Sequence, residues 1–213
     1  MAITSLLAGL FFLTSCEQKS SPAQATTTQS TGARQDDTTA AHQEPALPAT
    51  ASTTFSEVAP EARTQAAKLL GAYLNLKNSL VASDLKKTKQ GAQQIVDVLA
   101  GFNAAGLPAD QGAFYQEHTP MLKEDAEHIL ETGDVNHQRD HLEALSERTY
   151  ALVKAFGANG AALHRQYCPM AFDNKGAHWL SETEPIRNPY FGEKMLSCGQ
   201  TKETLGAKRS AAQ

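Results

Sequence analysis

The chain has 213 residues, 19 of them Lys or Arg and 23 Asp or Glu, for a formal net charge of −4. That mild acidity argues against a nucleic-acid partner, which needs a basic face. No phosphate-cradling glycine loop, internal repeat or Ser-His-Asp spacing is legible, so the chain reads as a binding protein and not as an enzyme.

Residues Leu6 to Leu13 form a short apolar run, Leu-Leu-Ala-Gly-Leu-Phe-Phe-Leu. It falls well short of the roughly 20 apolar residues that span a bilayer and suits the hydrophobic region of a secretory signal. No Lys or Arg precedes it, a departure from the usual signal. It ends in Leu13-Thr14-Ser15-Cys16, which looks like a bacterial lipobox. Residues 1–15 are therefore expected to be a signal peptide, with lipobox 13–16, and Cys16 to carry acyl chains that anchor the mature protein to a membrane. Each buried methylene contributes about 0.8 kcal/mol, so several chains anchor firmly. Residues 16–55 are rich in Ser, Thr, Ala, Gln and Pro with almost no large apolar side chains. They cannot bury enough surface to offset the entropy of ordering and read as a disordered tether.

From about Glu57 the pattern turns helical. Ala66, Leu69, Tyr73, Leu76 and Leu80 recur at steps of three and four. Ser83 and Asp84 punctuate the chain, Asp84 suiting a helix cap. Leu85, Ala92, Ile95, Leu99 and Phe102 mark the second helix, and Gly106-Leu107-Pro108 ends it. A short turn is expected to hold Phe114 and Tyr115. Thr119-Pro120 then reads as a cap with proline at the first helical position, opening a third helix through Met121, Leu122, Ile129 and Leu130. Asp134 starts the fourth, with Leu142, Leu145, Leu152 and Phe156 as its stripe. Short connections favour antiparallel neighbours. The expected fold is all-α: an antiparallel bundle of about four helices over 57–160, an irregular Cys/Met/aromatic cap over 161–206, and a disordered tail over 207–213. Within the cap one helical turn is expected near Tyr167 and a short helix over 201–205. Tyr190 and Phe191 are expected to plug the cap onto the bundle.

The cap holds Cys168 and Met170, spaced C-x-M, and Met195 and Cys198, spaced M-x-x-C. Thiolates and thioethers select Cu(I), and thiolates also take Zn(II). His178 lies between the pairs, followed by Trp179, and His164 would share a helix face with Cys168 four residues on. The candidate metal ligands are thus Cys168, Met170, Met195, Cys198, His178 and His164. The competing reading is a Cys168–Cys198 disulfide, which the oxidising compartment favours on the residues alone. It would close a loop of roughly 30 residues and contribute about 3.5 to 4 kcal/mol. Met170 and Met195 would then be apolar filler. A third reading makes Cys168, with His164, an activated thiolate of an oxidoreductase. His137 and His141 have H-x3-H spacing, which puts two imidazoles on one helix face. That spacing is frequent, and both read as exposed polar residues. His118 and His128 are expected to face inward with Asp125.

Cys168-Pro169-Met170-Ala171, Trp179-Leu180-Ser181, Ile186-Arg187-Asn188-Pro189-Tyr190-Phe191-Gly192, Met195-Leu196 and Cys198-Gly199 together resemble a bacterial domain family of unknown function. Tyr73-Leu74-Asn75-Leu76-Lys77 with Leu80-Val81 looks like its first-helix signature, and Gln138-Arg139 with Leu145-Ser146 its last. The likeness spans roughly 60–205. The family occurs in lipoproteins and at the C-terminus of periplasmic adaptors of heavy-metal (copper or silver) efflux pumps. The resemblance implies a soft metal as cofactor, Cys168, Met170, Met195 and Cys198 as its ligands, and an efflux adaptor or pump as partner. It ranks the metal above the disulfide. The expectation is an exported lipoprotein on the periplasmic face or surface of a Gram-negative membrane, binding Cu(I) for buffering or delivery. The alternative is a metal-free interaction module of the envelope held by the Cys168–Cys198 bridge.

Overall fold

A computed structural model describes residues 53–157 and 162–206. The signal-like run, Cys16, the tether up to residue 52 and the tail lie outside the described residues. Four long helices come first: α1 (Pro60–Val81), α2 (Leu85–Ala100), α3 (Ala109–Glu131) and α4 (Val135–Phe156). Their starts follow local chemistry. Pro60 opens α1, where a missing N–H costs nothing. The Asp84 carboxylate accepts from Lys87 N–H at 3.0 Å and caps α2. Asp134 accepts from Asn136 N–H at 2.8 Å and caps α4. Every residue of the first stripe is buried, and so are Ala92, Ile95, Leu99, Leu122, Ile129, Leu142, Leu145, Leu152 and Phe156.

Two boundaries differ from the sequence reading. Phe55, assigned to the tether, stacks on Phe156 with ring centroids 5.5 Å apart and meets Phe114 edge-on at 5.8 Å. The packed domain therefore includes the last residue of that segment. Thr119-Pro120 does not begin a helix, because α3 runs unbroken with Pro120 inside it. An internal proline costs about 3 kcal/mol. Phe114 and Tyr115 before it, and Leu122, Ala126 and Ile129 after it, are all buried in one core. At about 1.5 to 3 kcal/mol for each large side chain, their joint burial outweighs the proline.

The cap is not irregular, so the fold is mostly helical but not all-α. Strands β1 (Leu163–Cys168), β2 (Ala177–Ser181) and β3 (Gln200–Leu205) form an antiparallel sheet with β1 in the centre. The helical turn expected near Tyr167 is β1, and the short helix expected over 201–205 is β3. Between β1 and β2 lies α5 (Ala171–Asn174), a tight turn whose Phe172, Asp173 and Asn174 have positive φ.

The sheet meets α4 with one face. Arg165 sits over the Tyr150 ring at 4.6 Å and donates to both Glu147 carboxylate oxygens at 3.0 and 3.1 Å. Glu203 accepts from the Tyr150 hydroxyl. Leu180 N–H donates to the Tyr73 hydroxyl of α1 at 3.1 Å, and that hydroxyl also bonds Ser146 at 2.8 Å. The other face carries Gln166, Cys168 and Trp179. Gln166 donates to the carbonyls of Thr183 and Glu184, which tie down the segment after β2.

Candidate functional site

Cys168 ends β1, and Cys198 follows the 3-10 turn Gly192–Met195. Both are free thiols, and their Sγ atoms stand 3.6 Å apart. A disulfide needs about 2.0 Å. Two thiolates on one tetrahedral ion with 2.3 Å bonds would be separated by about 3.8 Å. The observed distance lies near the second value, and a small approach of the sulfurs reaches the first. Cys168 is fully buried and Cys198 half-buried. Burial first, and the neighbouring Cys168 thiol second, push the Cys198 thiol above its ordinary pKa.

Buried Asn188 builds the approach. Its side-chain amide donates to the Cys198 carbonyl at 2.9 Å, its N–H to the Leu196 carbonyl at 2.8 Å, and its side-chain oxygen accepts from Tyr190 N–H at 2.8 Å. The turn is clamped to the bundle by Arg139, which donates to Pro189 O at 2.9 Å, Ser83 Oγ at 2.8 Å and Leu80 O at 3.3 Å. Gly192, at φ 57°, passes so close that a Cβ would lie 2.9 Å from Ser83 Oγ and 3.1 Å from Arg139 Nη2. Tyr190 is buried and its hydroxyl donates to the His178 carbonyl, while Phe191 is half-buried. The Asn-Pro-Tyr-Phe-Gly run thus locks the loop that carries Cys198 onto α1 and α4. The clamping roles of Arg139 and Asn188 were not legible locally, since a polar residue destined for burial looks like any other.

The remaining candidates are placed differently. Met170, two residues past Cys168, is 44% exposed, and Met195 is half-buried, its carbonyl accepting from Cys198 N–H at 3.0 Å. The thiols meet, and the thioethers flank them along the chain. In the register Cys168 pairs with Ala177 and Tyr167 with His178. Successive strand residues point to opposite faces. His178 therefore lies on the α4 face, 3.6 Å from Glu147 and 4.6 Å from the Tyr167 ring, with the sheet between it and Cys168. His164 was placed near Cys168 by helical spacing. In a strand, four residues span about 13 Å, and His164 instead meets Thr204 Oγ1 at 3.2 Å. Trp179, fully buried, lies on the thiol face, with Gly199 packed against its ring.

A second constellation gathers at the α3–α4 turn. His137 and His141 share a face of α4, with their Nε2 atoms 3.3 Å apart. His128 of α3 meets the His141 ring edge-on at 4.8 Å. The three line an open cleft of about 450 Å³ together with Glu131 and Thr132. His137 is exposed as expected, but His141 is half-buried, its Nδ1 held 3.2 Å from Asp125. Asp125 thus partners His141 and Arg148, while His128 is exposed and His118 is the inward histidine, packed on Phe114. Among the described residues no group of three or more His, Cys, Asp or Glu side chains, as they stand, is placed to hold a metal ion. Nor is any described helix long and apolar enough to cross a membrane.

A family model described as a protein of unknown function (DUF3347) matches residues 69–160. The match covers most of α1 and all of α2, α3 and α4, and stops before β1. No curated protein and no solved structure matches the chain.

Proposed function

We propose that this chain is a lipid-anchored protein of the cell envelope whose folded head binds a soft metal ion, Cu(I) first, and buffers it or passes it to an efflux system. The contact of Cys168 with Cys198 at 3.6 Å carries the reading, because it joins two thiols 30 residues apart at a spacing suited to a shared ion. Met170 and Met195 are the thioethers within reach along the chain. His178 lies across the sheet from Cys168 and His164 four strand residues away from it, so this reading does not count them among the ligands. Export is supported by the signal-like run and Cys16, and the efflux partner by the motif's resemblance. The decisive measurement is anaerobic Cu(I) titration of the reduced protein against a chromophoric chelator. One tightly bound Cu(I) is expected, with at least tenfold weaker binding in Cys168→Ser and in Met170→Leu. Unchanged affinity in the Cys168→Ser, Cys198→Ser double variant would take the thiols out of the site.

The second reading is a metal-free interaction module in which the same two sulfurs close as a disulfide. It is favoured by the complete burial of Cys168, which hinders ion entry. Alkylation under denaturing, non-reducing conditions with a chelator present, followed by intact-mass analysis, separates the two: protein purified from its own envelope takes up alkyl groups at Cys168 and Cys198 if they are thiols and resists them there if they are bridged.

A further inference from the structure

We infer that His128, His137 and His141 form a second metal site, separate from the thiols and selective for a borderline divalent ion such as Zn(II). The proposal does not rest on the copper reading, since no sulfur takes part.

Two donors are already preset. His137 and His141 are one turn apart on α4, and their Nε2 atoms are 3.3 Å apart. Two imidazole nitrogens bonded at 2.0 to 2.1 Å to one tetrahedral ion are separated by about 3.3 to 3.4 Å. The second requirement is an outer partner that holds a ligand's ring in place. Asp125 supplies it. Its Oδ1 lies 3.2 Å from His141 Nδ1, and its Oδ2 accepts from Arg148 at 2.9 Å. A carboxylate at Nδ1 favours the tautomer with the His141 proton there, which would leave Nε2, facing His137, as the donor to an ion. The third donor comes from across the hairpin. The His128 ring centroid lies 4.8 Å from that of His141, so a change of its ring orientation would bring a third imidazole to the pair, with Glu131 of the same cleft or water left for the fourth position. Imidazole donors suit Zn(II), Cu(II) and Ni(II), whereas Cu(I) prefers sulfur. The ion would tie the end of α3 to the start of α4.

The test uses tag-free protein carrying Cys168→Ser and Cys198→Ser, titrated calorimetrically with Zn(II) alone. One Zn(II) per chain is expected, with shifts of the His128, His137 and His141 ring nitrogens in NMR spectra. His137→Ala, at an exposed position, should weaken binding at least tenfold, Asp125→Asn ten- to a hundredfold, and His164→Ala not at all. No binding by the thiol-free protein, or equal binding by His137→Ala with unchanged circular dichroism, overturns the site. Unchanged affinity in His128→Gln overturns the three-imidazole set.

Discussion

At Gly91 the backbone of α2 presses against α1: a Cβ there would lie 2.7 Å from Leu76 Cα and 2.8 Å from Leu76 N. Two effects of Gly91→Ala oppose each other. Alanine favours the helix by about 1 kcal/mol. The clash is with backbone, which cannot rotate away, and overpacking costs about 1 to 3 kcal/mol or more. The clash should win, with a net loss of about 1 to 2 kcal/mol visible as a lower urea midpoint at unchanged slope. A rise in midpoint would mean that the helices separate freely. Tyr73→Phe tests a different cost. It removes the acceptor of the Leu180 N–H and the partner of Ser146. Ser146 keeps its bond to the Leu142 carbonyl, but leaving the buried Leu180 N–H unpaired costs about 1 to 3 kcal/mol, so thermal unfolding should shift down by several degrees. At this scale the core was legible, because Leu69, Tyr73, Leu76 and Leu80 repeat with helical period. Gly91 was not, because the need for glycine arises only where a second helix crosses.

Between elements, the segment after β2 is held to α1 by polar contacts. Lys77, almost wholly buried, donates to Glu182 at 2.9 Å, and Asn78 donates to the same carboxylate at 2.7 Å. Burial holds the Lys77 ammonium below its ordinary pKa, against the pull of Glu182. For Glu182, partial burial works upward, but the combined hydrogen bonds from Asn78, its own backbone N–H and Lys77 leave it below its ordinary value of 4.5. The folded state therefore binds fewer protons at Glu182 than the unfolded state just below pH 4.5. Its contribution is complete above that pH and is lost as the pH falls through the lowered value. Glu147, raised chiefly by burial, acts with the opposite sign, so the wild-type profile mixes the two. The clean measurement is the difference between wild type and Glu182→Gln, which should shrink as thermal unfolding is followed from pH 6 down to pH 3. A constant difference would show that Glu182 acts only through packing. The helices were readable from periodicity and caps, whereas the strands were not. The α4 face of the sheet is filled by Arg165, His178 and Glu203, which meet Glu147, Tyr150 and Lys154. Strands that bury ion pairs show no alternation of apolar and polar residues.

Over the whole domain, the sheet and the bundle share one core that includes Tyr73, Leu142, Trp179, Leu180 and Tyr190. A fragment of residues 53–157 would expose the α4 surface that the sheet covers. It should lose sharp near-ultraviolet dichroism and cooperative unfolding while keeping helical far-ultraviolet signal. A fragment that unfolds as cooperatively as the full domain would show the sheet to be an accessory. The order of the four long helices, the Asp84 and Asp134 caps and the buried stripes followed from the sequence, because helical periodicity and capping are local and act within a few residues; the start of α3 did not, because core burial on both sides of Pro120 outweighs the local stop signal. The meeting of Cys168 with Cys198, the exile of His178 to the opposite face and the gathering of three histidines at one turn were decided by tertiary structure. Each depends on strand register or on the packing of elements distant in sequence, and no local pattern encodes which side chains a fold brings within reach of one another.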